Sequence, residues 1–143
     1  MMIAPALTGY DIVRTLAADP DFSLPIVSHP AFSGANVVSP DCGLSHRAFF
    51  GTLHRLMGAD AVVYPNFGGR FGFTREECQS IAKACAVDMS GLKAIVAAPG
   101  GGMTFARIPE AYGNDVMYLV GGALLSEPDL VGACKRLKAA VEN

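Results

Sequence analysis

Apolar residues along this 143-residue chain fall into two alternating kinds of segment. Short runs that are apolar throughout predict strands buried on both faces, and longer runs with apolar residues every three or four positions predict amphipathic helices. The predicted strands are 2–6, 24–28, 60–65, 92–98 and 116–120. A predicted helix follows each of them, and this alternation is typical of parallel strands joined by right-handed crossovers.

The predicted helices are 10–18, 44–57, 74–87, 108–112 and 129–141. Gly58 is placed to end the second, because glycine readily adopts the left-handed conformation at a helix C-terminus. Thr74 and Glu77 have the spacing of a capping box at the start of the third. Residues 32–42 have no period and predict a loop. Five strand–helix units fit either an open doubly wound sheet or part of an eight-stranded barrel, and periodicity does not separate the two.

Composition narrows the class of protein. Hydrophobic residues make up 51% of the chain and charged residues 17%, which excludes disorder, and the length fits one domain. The net charge of −2 offers no basic surface for nucleic acid, and no apolar run is long enough for a membrane span. The four cysteines have no metal-binding spacing and indicate reduced thiols. We therefore expect a cytoplasmic protein with neither nucleic acid nor membrane as partner.

Two glycine clusters follow consecutive predicted strands near the end of the chain. The first contains Gly100, Gly101 and Gly102, and the second contains Gly121 and Gly122. Glycines at such positions let backbone N–H groups approach an anion closely, and a βα barrel usually holds phosphate at the loops after its last two strands. A tight turn would explain one glycine pair, whereas two clusters in register favour a phosphate site.

Five segments, taken in order, resemble the RuBisCO large subunit superfamily. They are 24–32 (LPIVSHPAF), 58–71 (GADAVVYPNFGGRF), 99–102 (PGGG), 112–115 (YGND) and 120–122 (VGG). The resemblance covers essentially all 143 residues and is closer to the RuBisCO-like proteins (form IV type) than to carbon-fixing RuBisCO. It implies an α/β fold, the C-terminal part (strands 4 to 8) of a TIM (β/α)8 barrel, with residues 1–143 as one partial barrel domain.

The resemblance also implies catalytic residues. His29 corresponds to an active-site histidine at the end of barrel strand five, where a neutral imidazole exchanges protons near an enediolate. A histidine satisfied within its loop is the alternative. Arg70 occupies the place of the mobile loop lysine of carboxylating members and would close over the substrate.

Binding residues follow from the same comparison. Gly101, Gly102, Gly121 and Gly122 match the family's backbone phosphate cradle, and Gly100 stands where the family has a serine. Asn66, at the mouth of the third strand, is a candidate substrate-binding residue, with an ordinary turn asparagine as the alternative.

Three departures from the family pattern argue against carboxylation of ribulose bisphosphate. Arg70 lacks the compact ammonium of lysine. Pro30 takes the place of a phosphate-binding arginine, and Val63 and Tyr64 occupy the place of a histidine at the end of strand six. These losses fit a relative that acts on a smaller, singly phosphorylated, ketose-like substrate.

Three other polar residues in the chain have structural interpretations. We expect Asp60 to orient its strand rather than to perform chemistry. His46 and His54 lie eight residues apart on the predicted helix 44–57, and without a third ligand they are expected to be surface residues rather than a metal pair.

The magnesium site of the complete family enzyme has no counterpart in this sequence. It needs a carbamylated lysine with nearby Asp and Glu on the second barrel strand, which lies upstream of Met1 in this alignment. Five strands also cannot close an eight-stranded barrel. Three alternatives follow. The chain is a fragment of a longer protein, or the barrel is completed by another copy of this chain (a homo-oligomer) or by a complementary chain, or the five strands form an open sheet.

The function expected from the resemblance is that of a fragment of a RuBisCO-like enzyme. The parent enzyme would carry out magnesium-dependent enolisation, carboxylation or decarboxylation of a phosphorylated ketose-like substrate, which is lyase or isomerase chemistry. This chain would supply the phosphate-binding loops and would be inactive alone. The alternative is a non-catalytic phosphate-binding or assembly module that uses the same glycine clusters.

Overall fold

The computed structural model describes residues 1–39, 41–69, 71–101 and 108–142, apart from the side chains of residues 108 and 109. Four strands in these ranges form one parallel sheet in chain order. They are β1 (Met2–Ile3), β2 (Val27–Ser28), β3 (Ala61–Pro65) and β4 (Val96–Gly100). The predicted alternation of parallel strands and helices is therefore confirmed.

A fifth segment, residues 116–119, extends this sheet beyond β4. Val116 bridges to Ala97 and Leu119 bridges to Gly100, both in parallel orientation. The strand predicted over 116–120 is thus present as two separate bridges rather than as a continuous ladder. Its N–H groups still bind β4, since Met117 N donates to Ala97 O at 2.9 Å.

Helices connect the strands. They are α1 (Pro5–Thr8), α2 (Tyr10–Ala18), α3 (Gly34–Val37), a π-helix (Arg47–Leu53) that continues into α4 (His54–Leu56), α5 (Arg75–Ala86), α6 (Ile108–Tyr112), α7 (Gly122–Leu125) and α8 (Leu130–Glu142). The predicted capping box is confirmed, because Thr74 Oγ1 accepts from Glu77 N and Glu77 Oε2 accepts from Thr74 N. Gly58 has φ +82° just after α4, as predicted. No helix in the described ranges is long and apolar enough to cross a membrane.

Several predicted boundaries are wrong. Pro5 begins α1 inside the strand predicted over 2–6. Proline is favoured at the first position of a helix, because an N–H at that position would have no partner within the helix. Within the loop predicted over 32–42, α3 forms one turn that buries Val37 in the core. The strand predicted over 24–28 is reduced to β2, and the one predicted over 92–98 starts later, as β4.

The main hydrophobic core lies between the sheet and the helix layer that contains the π-helix and α5. Its buried members include Phe49, Phe50, Val62, Tyr64, Cys78, Ile81, Cys85 and Ala97. Gly51 is required at the crossing, because a Cβ there would overlap the Cβ of Ala84 on α5. None of the four cysteines forms a disulfide, and Cys42 and Cys134 are exposed.

Arg55 on α4 is a buried cation that no sequence signal indicated. Its side chain is 3% exposed. The guanidinium donates to backbone carbonyls of Lys93 at 2.9 Å and of Ala84, Val87 and Leu92 at 2.8 Å each. It therefore ties the end of α5 and the segment 87–93 that follows it to α4.

The prediction that His54 is a surface residue is wrong. His54 is 2% exposed, its Nδ1 donates to Phe49 O at 2.7 Å, and its ring stacks on Phe50. Burial lowers the pKa of His54 to about 4, although its hydrogen bond to Phe49 opposes this shift. His46 is half-buried, with Nδ1 3.3 Å from Glu77 Oε1. The ring of His46 also packs edge-on against Phe73, so the surface position predicted for His46 is not observed either.

Asp60 orients its strand, as expected. Its carboxylate accepts from Ile26 N at 2.7 Å, which joins the start of β2 to β3, and from Lys93 Nζ at 2.7 Å. Burial would raise the pKa of Asp60, but the hydrogen bonds and the charge of Lys93 outweigh it and the pKa is lowered.

Candidate functional site

Candidate residues from four segments of the chain meet at one edge of the sheet, because the carboxyl ends of parallel strands lie together. His29 follows β2, Asn66 follows β3 and Gly100 ends β4. Gly121 and Gly122 follow the fifth segment. Arg70 and Gly102, two further predicted site residues, lie outside the described residues.

His29 is held by its backbone and leaves its ring exposed. Its N–H donates to Ile3 O at 2.8 Å, which continues the pairing of β1 with β2. The ring Nδ1 accepts from Ala31 N at 3.1 Å. A neutral imidazole whose Nδ1 is an acceptor carries its proton on Nε2. A substrate would therefore meet a proton donor at Nε2.

The first glycine cluster is hydrogen-bonded to the segment that leads into the second. Gly101 has φ +79°, a conformation that favours glycine, and its N–H donates to Leu119 O at 3.3 Å. This bond joins the loop after β4 to the end of the fifth segment. It also means that an anion must compete with Leu119 for the Gly101 amide.

The space around the glycines divides them into two groups. Among the residues that the structure describes, a Cβ on Gly101, Gly121 or Gly122 would meet no atom within 4 Å, so these backbones have open space beside them there. A Cβ on Gly100 would lie 3.2 Å from Leu119 Cδ2. Gly100 therefore allows close packing of neighbouring strands, whereas the other three leave room for a ligand beside the backbone.

Asn66 is buried at the mouth of β3 and is engaged on two sides. It is 2% exposed, and its N–H donates to Gly100 O at 3.1 Å. Its Oδ1 accepts from Phe67 N at 3.0 Å and also from the hydroxyl of Tyr112. The side-chain oxygen of this candidate substrate-binding residue is thus bound by groups of the protein.

Tyr112 contacts this site, although the sequence analysis assigns it no role there. It ends α6, and its hydroxyl is protonated at neutral pH and can donate; burial is the main cause that raises its pKa further. The motif at 112–115 contributed to the resemblance, but the pairing with Asn66 spans 46 residues. No local periodicity reports a contact of that separation.

The thiols beneath the site remain protonated at neutral pH. Cys78 donates to Pro65 O at 3.5 Å, and burial raises its pKa to about 11. Burial likewise raises the pKa of Cys85 to about 12. A nucleophilic cysteine needs a lowered pKa, so these two side chains serve packing rather than covalent chemistry.

Two side chains of α5 hold α6 against the helix layer. Gln79 Nε2 donates to Ala111 O at 2.9 Å, and Arg75 Nη2 donates to Glu110 O at 3.5 Å. The guanidinium of Arg75 also lies 5.8 Å from the centre of the Phe67 ring. The helix after the first glycine cluster is therefore fixed relative to α5 and to the mouth of β3.

The described residues do not fit a magnesium ion. Across the ranges that the structure covers, no group of three or more His, Cys, Asp and Glu side chains is arranged to hold a metal. We therefore derive no chemical step through a metal from these residues.

Comparison with known proteins gives consistent matches. No protein-family model matches the chain. It is 41% identical to the 5-methylthioribulose-1-phosphate isomerase of Rhodospirillum rubrum, over 90% of this chain and 33% of that protein. It is 36% identical to the 2,3-diketo-5-methylthiopentyl-1-phosphate enolase of Exiguobacterium sibiricum, over 84% of this chain and 31% of that protein.

A solved structure extends the comparison to the fold. The crystal structure of a RuBisCO-like protein from Alicyclobacillus acidocaldarius matches with a TM-score of 0.86 and 29% identity, over 99% of this chain and 37% of that one. The chain thus spans about a third of the length of each of these relatives.

Proposed function

The chain belongs to the RuBisCO-like proteins, and from that premise we propose that it supplies the phosphate-binding loops of an enzyme of this family. The predicted fold class, part of a TIM barrel of RuBisCO type, is confirmed. The observation that carries the proposal is the hydrogen bond from the first glycine cluster to the segment that leads into the second. Gly101 N donates to Leu119 O, and no atom of the described ranges lies within 4 Å of a Cβ placed on Gly101, Gly121 or Gly122.

The substrate that we propose is a small ketose-like molecule with one phosphate. The isomerase and the enolase to which the chain is similar both have a 1-phosphate in the names of their substrates. Backbone amides at Gly101, Gly121 and Gly122, together with Gly102, would bind that phosphate, because a backbone without side chains admits an anion at hydrogen-bond distance.

His29 is the proton-transfer residue in this proposal. The reaction is removal of a proton next to a carbonyl and its return at a neighbouring atom, which is enolisation or isomerisation. To take up that proton at Nε2, the neutral ring would carry its own proton on Nδ1 and release the hydrogen bond from Ala31 N, and the imidazolium so formed would return a proton from Nε2. Arg70 would cover the bound substrate. Asn66, with its oxygen engaged, would act through its neighbours rather than by contact.

The remainder of the barrel would supply the other parts of the active site. RuBisCO-like enzymes are generally magnesium-dependent, and we propose that the ligands come from the part of the complete enzyme that this chain does not span. The apolar side chains on the sheet face opposite the helix layer are evidence that the remainder of the barrel covers this face. Met2, Val96, Met117 and Leu119 are exposed there, as expected of side chains that line the interior of a barrel.

A chimera tests this proposal directly. In it, this chain replaces the aligned third of the Rhodospirillum rubrum isomerase. We expect a folded protein with isomerase activity that depends on magnesium, whereas the isomerase without that third should be inactive. A folded chimera that binds phosphate without turnover would contradict the enzymatic proposal and favour a non-catalytic binding module.

A further inference from the structure

We propose that Phe32 is a specificity-determining residue, whose ring binds an apolar group at the end of the substrate that lies away from the phosphate. This role rests on the proposed function, because the phosphate site and His29 are the other two points of contact. The backbone at Phe32 is an outlier. Among the residues that the structure describes, Phe32 is the one non-glycine with a positive φ, at +63°.

A tight turn over residues 30–33 holds Phe32 in this conformation. Ser33 N donates to Pro30 O at 3.1 Å, which makes Phe32 the third residue of the turn. A positive φ at that position is typical of a type II turn and favours glycine or asparagine, because a side chain there crowds its own backbone. A bulky aromatic residue in such a conformation reduces stability, and strain of this kind is concentrated at functional sites.

Packing of the Phe32 ring does not compensate for this strain, because the residue is 75% exposed. The residues on either side of it are held in place. Ala31 N donates to Nδ1 of His29 at 3.1 Å, and Ser33 is buried. The turn therefore presents an accessible aromatic ring close in sequence to the proposed proton-transfer residue.

The sheet order places this turn on the far side of the site from the glycine clusters. β2, which leads to His29 and Phe32, is separated from β4 by β3. Neighbouring strands lie about 4.8 Å apart, so the carboxyl ends of β2 and β4 are about 10 Å apart. A short ketose phosphate bound at Gly101 can therefore extend across β3, with its carbon chain beside His29 and its other end near the turn 30–33.

The composition of the segment after β2 favours an uncharged, apolar group at that end. Residues 29–38 contain no Lys, Arg, Asp or Glu. A second phosphate would meet no Lys or Arg from this segment, whereas an aromatic ring attracts alkyl and thioether groups. Phe32 thus favours a substrate that ends in an alkyl or thioether group over one that ends in a hydroxyl or a second phosphate.

The test compares the binding of two ketose phosphates to the chain by calorimetry. One is 5-methylthioribulose 1-phosphate, the compound in the name of the Rhodospirillum rubrum isomerase. The other is ribulose 1-phosphate, which has a hydroxyl in place of the methylthio group. We expect the wild type to bind the methylthio compound about tenfold more tightly, because a small apolar contact discriminates by about this factor. Phe32→Gly should remove most of this preference.

Controls separate this role from loss of the fold or of the phosphate site. Phe32→Gly should unfold at about the temperature of the wild type, because relief of strain offsets the greater flexibility of glycine in the unfolded chain. Its affinity for inorganic phosphate should also be unchanged. Leu24→Ala removes an exposed apolar side chain that precedes β2, away from the carboxyl ends of the strands, and should keep the preference.

The possible outcomes distinguish this role from the proposed function. A preference for the methylthio compound that is lost in Phe32→Gly and kept in Leu24→Ala supports the role of Phe32. Equal affinities of the wild type for the two compounds, or a preference that Phe32→Gly keeps, would overturn that role and leave the phosphate site standing. No binding of either compound or of inorganic phosphate by the wild type would overturn the proposed function, and the role of Phe32 with it.

Discussion

The guanidinium of Arg55 donates a hydrogen bond of 2.8 Å to the backbone carbonyl of Ala84, near the end of α5. The same group also satisfies the carbonyls of Lys93, Val87 and Leu92. The last carbonyls of a helix have no hydrogen-bond donor within the helix, and this end carries a partial negative charge. A cation placed there donates to those carbonyls and is attracted to that charge. Arg55 therefore ties the end of α5 to the segment that leads into β4.

Arg55→Met should destabilise the protein by at least about 2 kcal/mol, because it leaves several buried carbonyls without a donor. Urea unfolding measures this change. The control is Arg14→Met, since Arg14 forms only an exposed ion pair with Asp11 and its loss should change stability by less than about 0.5 kcal/mol. Similar effects of the two substitutions would contradict the assigned role of Arg55.

Stability should decrease as the pH falls from about 6.5 to about 4, because of His54. Its pKa is lowered to about 4 in the folded protein, so the unfolded chain binds a proton in this window that the folded one does not. The full contribution, up to about 3 kcal/mol, is present above pH 6.5. The pKa of Asp60 is lowered from 3.8, so the stability that Asp60 contributes is lost only below this pH window.

Urea midpoints between pH 4.5 and 7 check the His54 prediction. The His54→Gln variant should be less sensitive to pH than the wild type across that range, whatever its absolute stability. Equal pH slopes in the two proteins would show that another group is responsible.

Gly51→Ala should destabilise the protein by about 1–3 kcal/mol, because the new methyl overlaps Ala84 where the π-helix crosses α5. Ala84→Gly creates room for it at the cost of helix propensity. Thermal unfolding of the two single variants and the double variant should show a double variant more stable than the sum of the single effects predicts. Strict additivity would mean that the two positions do not meet.

His29→Asn in the isomerase chimera should lower kcat by about 10²–10⁴-fold and change KM little, because the proposed role is proton transfer rather than binding. Steady-state kinetics measure both constants. A loss confined to KM would assign His29 to binding instead.

Local signals predicted the parts of the fold that depend on neighbouring residues. The capping box at Thr74, the turn at Gly58 and the order of strands all follow from spacing or from single-residue conformation. The burial of Arg55 and His54 could not be predicted in this way. Their partners are backbone carbonyls, which carry no side-chain signature, and those of Arg55 lie 29–38 residues away.

In the candidate site too, some features were predictable from local sequence and others depend on contacts between distant segments. The glycine clusters and His29 were identified from motifs, and the parallel sheet places them at one edge. Asn66 was identified as well, but its engagement by Tyr112 depends on where α6 returns to the sheet. Whether a polar side chain is free for a ligand or bound within the protein is a property of tertiary structure.

Titration of the chain with inorganic phosphate tests the central claim most directly. The wild type should bind phosphate saturably, and Gly121→Asp should abolish binding, because a carboxylate would occupy the space that Gly121 leaves open. Gly91→Asp serves as the control, since no described atom lies within 4 Å of a Cβ on Gly91 and this residue precedes β4, away from the carboxyl ends of the strands. Because Gly91 has φ +79°, thermal unfolding checks that this variant is folded. Binding lost in Gly121→Asp and kept in Gly91→Asp is the predicted result. No binding by the wild type, or equal binding by wild type and Gly121→Asp, would contradict it.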